Sequence, residues 1–188
     1  MVSKISENNS TYWGLVGLVL AAAAAWIAVS RLPVQAGAAP IQAPQVGFAA
    51  PDINLRNAQD EAVQLSDFRG QPVIINLWAS WCGPCRAEMP AIQRVSEEYA
   101  DQGLVILAVN ATNQDSQANA MAFVAEHRLT FPILFDIDGL VSQVYRLQAL
   151  PSTYFVDQFG VIEEVVIGGP MAEALLRTRA ENLFGGLR

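Results

Sequence analysis

Lysine is almost absent from this sequence: Lys4 is the only one, and His127 is the only histidine. Charged residues make up 15% of the 188, below the roughly one quarter usual in soluble domains, and the net charge is −7. A chain so short of cations cannot track a phosphate backbone, which argues against a nucleic-acid partner. Cysteine is scarce too. Cys82 and Cys85 are the only two, so with one histidine they cannot complete a four-ligand structural zinc site. They can form one disulfide with each other. The abundant class is apolar, at 52%. That is enough for a buried core plus an apolar segment, and too much for wholesale disorder. The length suggests one domain with extras.

The apolar segment lies at the N-terminus. No charged residue occurs from Asn8 to Ser30, and 12–29 reads YWGLVGLVLAAAAAWIAV. About 20 helical residues rising about 1.5 Å each cover roughly the 30 Å of a bilayer's hydrocarbon core. Tyr12 and Trp13 stand at one end and Trp26 near the other, where membrane-interface aromatics are expected. The run therefore predicts a transmembrane anchor over 1–30. A cleaved signal peptide is the competing reading. Ala36-Gly37-Ala38 fits a small-x-small cleavage pattern, but the apolar region is longer than a signal-peptide core of about 7–15 residues and Arg31 precedes the site. Lys4 before the span and Arg31 after it leave the orientation nearly undetermined.

Residues 31–45 carry Pro33, Pro40 and Pro44 among Ala and Gln, which reads as an extended linker. A domain over 46–188 follows. Beyond residue 46 stand 9 basic and 17 acidic residues, net −8. Nearly continuous apolar runs at 72–78 (PVIINLW) and 104–109 (LVILAV) predict strands covered on both faces. Less uniform runs at 152–156 and 161–167 flank Asp157-Gln158-Phe159-Gly160, too short for a crossover and hence a hairpin. Short segments at 53–55 and 63–65 predict a second hairpin. Helices are expected over 84–99, over 118–127 with Asp115 or Ser116 as cap, over 139–145, and over 171–183 just after Pro170. The sum is an α/β sheet with a parallel core, an antiparallel end and helices on both faces.

The chemistry concentrates at Trp81-Cys82-Gly83-Pro84-Cys85, where a strand runs into a helix. A cysteine at a helix N-terminus faces free N–H groups and the positive end of the macrodipole, and both stabilise a thiolate. Pro84 is tolerated in the first turn. The spacing places Cys85 one turn below Cys82, so Cys82 is expected to be exposed and to attack, and Cys85 to be covered and to resolve. A half zinc site or an inert structural disulfide are the alternatives, and no second ligand pair supports the first.

These residues carry a resemblance. The segment 78–85, WASWCGPC, resembles the active site of the thioredoxin superfamily. The domain more narrowly resembles the membrane-anchored, extracytoplasmic TlpA/ResA-like thiol–disulfide oxidoreductases, which include reductases of cytochrome c maturation. Gly47 with Ala50-Pro51-Asp52, then 65–70 (LSDFRG) and Leu150-Pro151-Ser152-Thr153 extend the likeness over roughly 46–184. The resemblance implies a thioredoxin-like fold and a cis bond before Pro151 beside the disulfide. It also implies that the backbone of Leu150 can pair with an extended substrate.

Thioredoxins place an assisting Asp where this chain has Asn76, which cannot take a proton. Glu88, three residues after Cys85 and two before Pro90, is the candidate replacement, against an exposed helix glutamate. Trp81, Gly83, Pro84, Leu150 and Pro151 form the expected substrate contacts. Trp78 reads as packing, His127 as a helix C-terminal cation, and Glu97-Glu98 and Glu163-Glu164 as solvated faces.

The expected function is reduction of protein disulfides by dithiol exchange, with no cofactor beyond the Cys82–Cys85 pair. Gly83-Pro84 matches thioredoxin and suggests the reducing direction. The family implies an extracytoplasmic face of the cell membrane and a transmembrane thiol donor. Two rivals stand beside it. A peroxiredoxin needs a Pro-x-x-x-Thr-x-x-Cys pattern that is absent around Cys82, and a copper-binding metallochaperone of the same fold needs a wider cysteine spacing and a placed histidine.

Overall fold

The structure, a computed structural model, describes residues 7–30 and 40–185. These fall into two units. The first is helix α1, Glu7–Ser30, which contains no proline and whose residues 13–27 are all apolar or glycine. Its described side chains are those of residues 13–27. Among the described residues, no helix is long and apolar enough to cross a membrane. Lys4, Arg31, the Ala36-Gly37-Ala38 pattern and the linker's first nine residues lie outside the described residues. The linker's remainder joins the second unit, which starts at Pro40. There Gln42 bridges Ala49, and Ala49 bridges Val161.

The second unit is built on one seven-stranded sheet. Its strands are β1 (Asn54–Asn57), β2 (Ala62–Gln64), β3 (Val73–Trp78), β4 (Val105–Asn110), β5 (Ile133–Phe135), β6 (Ser152–Val156) and β7 (Ile162–Ile167). The spatial order is β2-β1-β5-β4-β3-β6-β7. Strands β3, β4 and β5 run parallel, and every other pairing is antiparallel. All six residues of β3 are buried, as a strand with neighbours on both edges and helices on both faces requires. Strand periodicity then sorts its side chains. Ile74 and Trp78 join a core with Met89, Ile92, Phe123 and Leu176, whereas Val73, Ile75 and Leu77 join a core with Ile53, Leu134, Val141 and Tyr145.

Helices α2 (Gly83–Tyr99), α3 (Gln117–His127) and α5 (Glu173–Phe184) thus cover one face, and α4 (Leu140–Val144) the other. The crossovers β3–α2–β4 and β4–α3–β5 step the same way along the sheet, so the right-handed rule puts α2 and α3 on the same side. This mixed sheet with flanking helices is the thioredoxin-like arrangement that the resemblance implies.

The two hairpins form where expected, with Leu55 opposite Val63 and Thr153 opposite Val166. In the second, Asp157 Oδ1 accepts from the amides of Phe159 and Val161, and Gly160 turns the chain at φ +82°. Two expectations change. Strand β5 was not anticipated. Pro170 does not open the last helix: α5 begins at Glu173, with Ala172 as its N-cap.

Candidate functional site

Strand β3 ends at Trp78, and four residues later Cys82 becomes the N-cap of α2 in extended conformation. Its Sγ accepts from the amide of Cys85 at 3.2 Å, and Pro84 sits in the first turn where its lost N–H has no partner to miss. Cys82 and Cys85 are joined in a disulfide, with Cα atoms 5.2 Å apart. The expectation of an exposed Cys82 needs correction: Cys82 is 4% exposed and Cys85 1%. Access distinguishes them all the same. Cys82, with Trp81, Gly83 and Pro84, lines an open cleft of about 360 Å³ whose far wall is 147–150, and Cys85 does not line it. Among the described residues, no charged side chain lines this cleft. Trp81 is 59% exposed and is tied down by its Nε1, which donates to the carbonyl of Gln114 at 2.8 Å. The Leu150–Pro151 bond is cis, as the resemblance implies.

Glu88 is no surface glutamate. It is 1% exposed, one turn beyond Cys85 on α2. Its Oε1 accepts from Asn76 Nδ2 at 3.0 Å and its Oε2 from the amide of Met171 at 2.8 Å. Asn76 faces Thr153 across the β3–β6 pairing, and its Nδ2 also donates to Thr153 Oγ1 at 2.9 Å. Burial pushes the Glu88 carboxyl above the ordinary carboxylate value, and the hydrogen bonds from Met171 and Asn76 offset part of that rise. The site therefore holds a carboxylate near the redox pair with an appetite for a proton. Thr153 and Met171 were not among the expected site residues. Thr153 stands in the quoted Leu-Pro-Ser-Thr run, whereas nothing local marks Met171.

Asp115 was expected only as a possible helix cap. Ser116 takes that role for α3, its Oγ accepting from Asn119 N–H at 3.1 Å. Asp115 instead clamps the turn before Cys82, accepting from Ser80 N–H at 2.6 Å, Ser80 Oγ at 2.7 Å and Asn110 Nδ2 at 2.9 Å. Partial burial works to raise its carboxyl, but these bonds and one from Ser116 N–H hold it below the ordinary range. His127 closes α3 with its ring 4.2 Å from that of Phe123. Among the described residues, no group of three or more His, Cys, Asp or Glu side chains is placed to hold a metal ion.

The AhpC/TSA family model matches residues 46–165, most of the chain. The chain belongs to the AhpC/TSA family. Thioredoxin-like protein YneN of Bacillus subtilis is 42% identical over 125 residues, covering 66% of this chain and 72% of that one. Thiol-disulfide oxidoreductase ResA of Oceanobacillus iheyensis is 41% identical over 128 residues, covering 66% of each. A crystal structure from Chlorobium tepidum, assigned as a thiol:disulfide interchange protein DsbE, superposes with a TM-score of 0.70 at 30% identity, over 75% of this chain and 99% of that one. Within the AhpC/TSA family, the fold and the Cys82–Cys85 disulfide make this chain a thioredoxin-like thiol–disulfide oxidoreductase.

Proposed function

We propose that the chain is a membrane-tethered, extracytoplasmic oxidoreductase that reduces protein disulfides, as in cytochrome c maturation. The observation that carries the reading is the Cys82–Cys85 pair at the mouth of α2, opening through Cys82 onto an uncharged cleft beside Leu150 and Pro151. In the reduced enzyme the Cys82 thiolate attacks a client disulfide. One client sulfur joins Cys82 in a mixed disulfide, and the other leaves as a thiolate that takes up a proton. Cys85 then gives its proton to Glu88 and attacks Cys82 Sγ. The second client sulfur departs as a thiolate, and the enzyme is left with the disulfide seen in this structure. Two electrons from a transmembrane thiol donor restore the dithiol. The tether rests on the sequence, on the uncharged and largely apolar run from Asn8 to Ser30. The client side rests on Trp81, Gly83, Pro84 and Leu150, which line the cleft with Cys82 as a surface suited to an extended segment, and on Pro151, which does not line it but follows Leu150 through the cis bond.

The family name raises a peroxidase reading. Against it, Ile75 and Ala79 stand where the Pro and Thr of Pro-x-x-x-Thr-x-x-Cys would be. The test is Cys85→Ser in cells producing the full chain. Stable mixed disulfides through Cys82 are expected, together with insulin reduction by the unaltered enzyme. Peroxide turnover without mixed disulfides would replace this reading with the peroxidase. Tight stoichiometric copper binding by the reduced protein, without insulin reduction, would replace it with the metallochaperone.

A further inference from the structure

We infer that the turn between β7 and α5, residues 168–171, is the positioning element for Glu88, and that Gly169 is a glycine because a side chain there would displace it. The inference concerns the carboxylate that the proposed function uses, and rests on that reading for its kinetic consequence only.

Three contacts from this turn converge on the site. The amide of Gly168 donates to the carbonyl of Pro151 at 2.8 Å. The amide of Met171 donates to Glu88 Oε2 at 2.8 Å. Between them, Gly169 presents a bare Cα. A Cβ built on it would stand 2.8 Å from Pro151 Cγ, 3.2 Å from Pro151 Cδ and 3.0 Å from Glu88 Oε2. Carbon atoms in contact sit about 3.5–4.0 Å apart, so such a group overlaps both neighbours. Backbone conformation does not call for glycine here: Gly168 has φ +82°, but Gly169 is not among the positive-φ residues. The demand for a missing side chain comes from Pro151 and Glu88.

Neither neighbour yields easily. Pro151 is a buried ring immediately before β6. Glu88 Oε1 is held by Asn76, which is itself held by Thr153. The softest adjustment is for Oε2 to swing off Met171 N–H. That removes one of the two bonds that oppose the effect of burial on this carboxyl, and moves the proton acceptor relative to Cys85. The charged groups on the elements packed nearby are already committed to one another. Arg179 on α5 pairs with Glu164 on β7 at 2.7 Å, and Arg94 on α2 with Glu173 on α5 at 2.7 Å. Cys82 and Cys85, joined here as a disulfide, present thiols on the same helix only after reduction.

The test uses the purified full chain in detergent, with Gly169→Ala, Glu88→Gln and the double variant. Positioned acid–base groups contribute about 100- to 10,000-fold, so partial displacement is expected to slow insulin reduction about tenfold. Gly169→Ala should also raise the midpoint of the Glu88 side-chain carbon signal in a pH titration. In the Glu88→Gln background it should add little, because the group it acts through is gone. An unchanged Glu88 midpoint, or fully additive losses, overturns the inference. The unaltered protein supplies a second measurement that does not depend on the variant folding. With 15N-methionine labelling, the Met171 amide proton should titrate with the same midpoint as Glu88, and a flat Met171 signal overturns the inference. If Glu88→Gln leaves the pH profile of reduction unchanged while Met171 still tracks Glu88, the proton role of Glu88 fails and the hold of this turn upon it stands.

Discussion

Glu88 illustrates how one residue can be costly to the fold and useful to the reaction. Its carboxyl is buried with two donors, fewer than an ionised carboxylate can accept. Burial raises its proton affinity, which fixes the sign of its effect on stability. Below the ordinary carboxylate value, folded and unfolded chains both hold the proton and Glu88 contributes no pH dependence. Between that value and the raised folded value, the folded chain holds more protons, so stability falls as pH rises. Above the folded value the loss is complete and constant. Glu88→Gln removes this slope. A glutamine can still accept from Met171 N–H, and its amide can donate to Asn76 after the Asn76 side chain turns over. Thermal melts of the oxidised protein across pH should therefore show little difference in acid. A gain for Glu88→Gln should grow through the window and then level off. About 1 kcal/mol moves the Tm of a chain this size by about 2–4 °C, so a rise of a few degrees is expected at neutral pH. A difference independent of pH would show that the raised affinity is not the cause. The position of Glu88 was legible in the sequence from its spacing to Cys85. Its burial and its partners were not, because Met171 lies 83 residues away and Thr153 meets Asn76 only once the sheet register is set. Cys82 likewise had to be seen in place, since the same cap that favours a thiolate also covers the sulfur.

The elements that hold the redox pair are a helix mouth and a clamp upon the turn that precedes it. The strand-to-helix junction was readable at 72–85, because a continuous apolar run followed by CxxC and Pro leaves few other readings. The clamp was not. Asp115 and Ser116 are both good caps, and sequence does not say which oxygen faces α3 and which reaches back across the β3 and β4 ends. In the fold Ser116 takes the cap and Asp115 ties Ser80 to Asn110. Short elements were hidden for a related reason. Strand β5 has only three residues after Pro132, and its identity comes from parallel pairing with β4 rather than from a pattern of its own. Replacing Asp115 by Ala leaves the Ser80 and Ser116 amides without their carboxylate and frees the turn two residues before Cys82. Hydrogen bonds to a charged group contribute about 1.5–3 kcal/mol each in full burial, and this carboxylate is partly solvated, so a loss of about 2 kcal/mol is expected. Denaturant melts measure it. Hydrogen exchange at the Ser80 amide should speed up more than exchange in β5, whereas uniform acceleration would indicate general destabilisation and no local clamp.

At the scale of the whole molecule the chain is sharply divided. An uncharged run of 23 residues, 8–30, precedes a domain that carries nearly all the charge. The sequence made both parts plain, since neither pattern depends on tertiary contacts; it left the boundary soft, and the folded unit takes in 40–45. The division has a consequence for where the enzyme works. If the uncharged run of the sequence serves as the proposed anchor, the full chain is expected in the membrane fraction, retained through alkaline carbonate and released by detergent. A chain starting at residue 40 is expected in the soluble fraction. Removal of the segment by signal cleavage gives a different result: a soluble product whose N-terminus follows Ala38 and which leaves the cell on osmotic shock. The side of the membrane is read separately, by treating intact reductant-exposed cells with a membrane-impermeant maleimide. Labelling at Cys82 without lysis places the domain outside. Labelling that needs lysis places the dithiol in the cytoplasm, where soluble thiol pools supply electrons directly and a transmembrane donor has no task to perform.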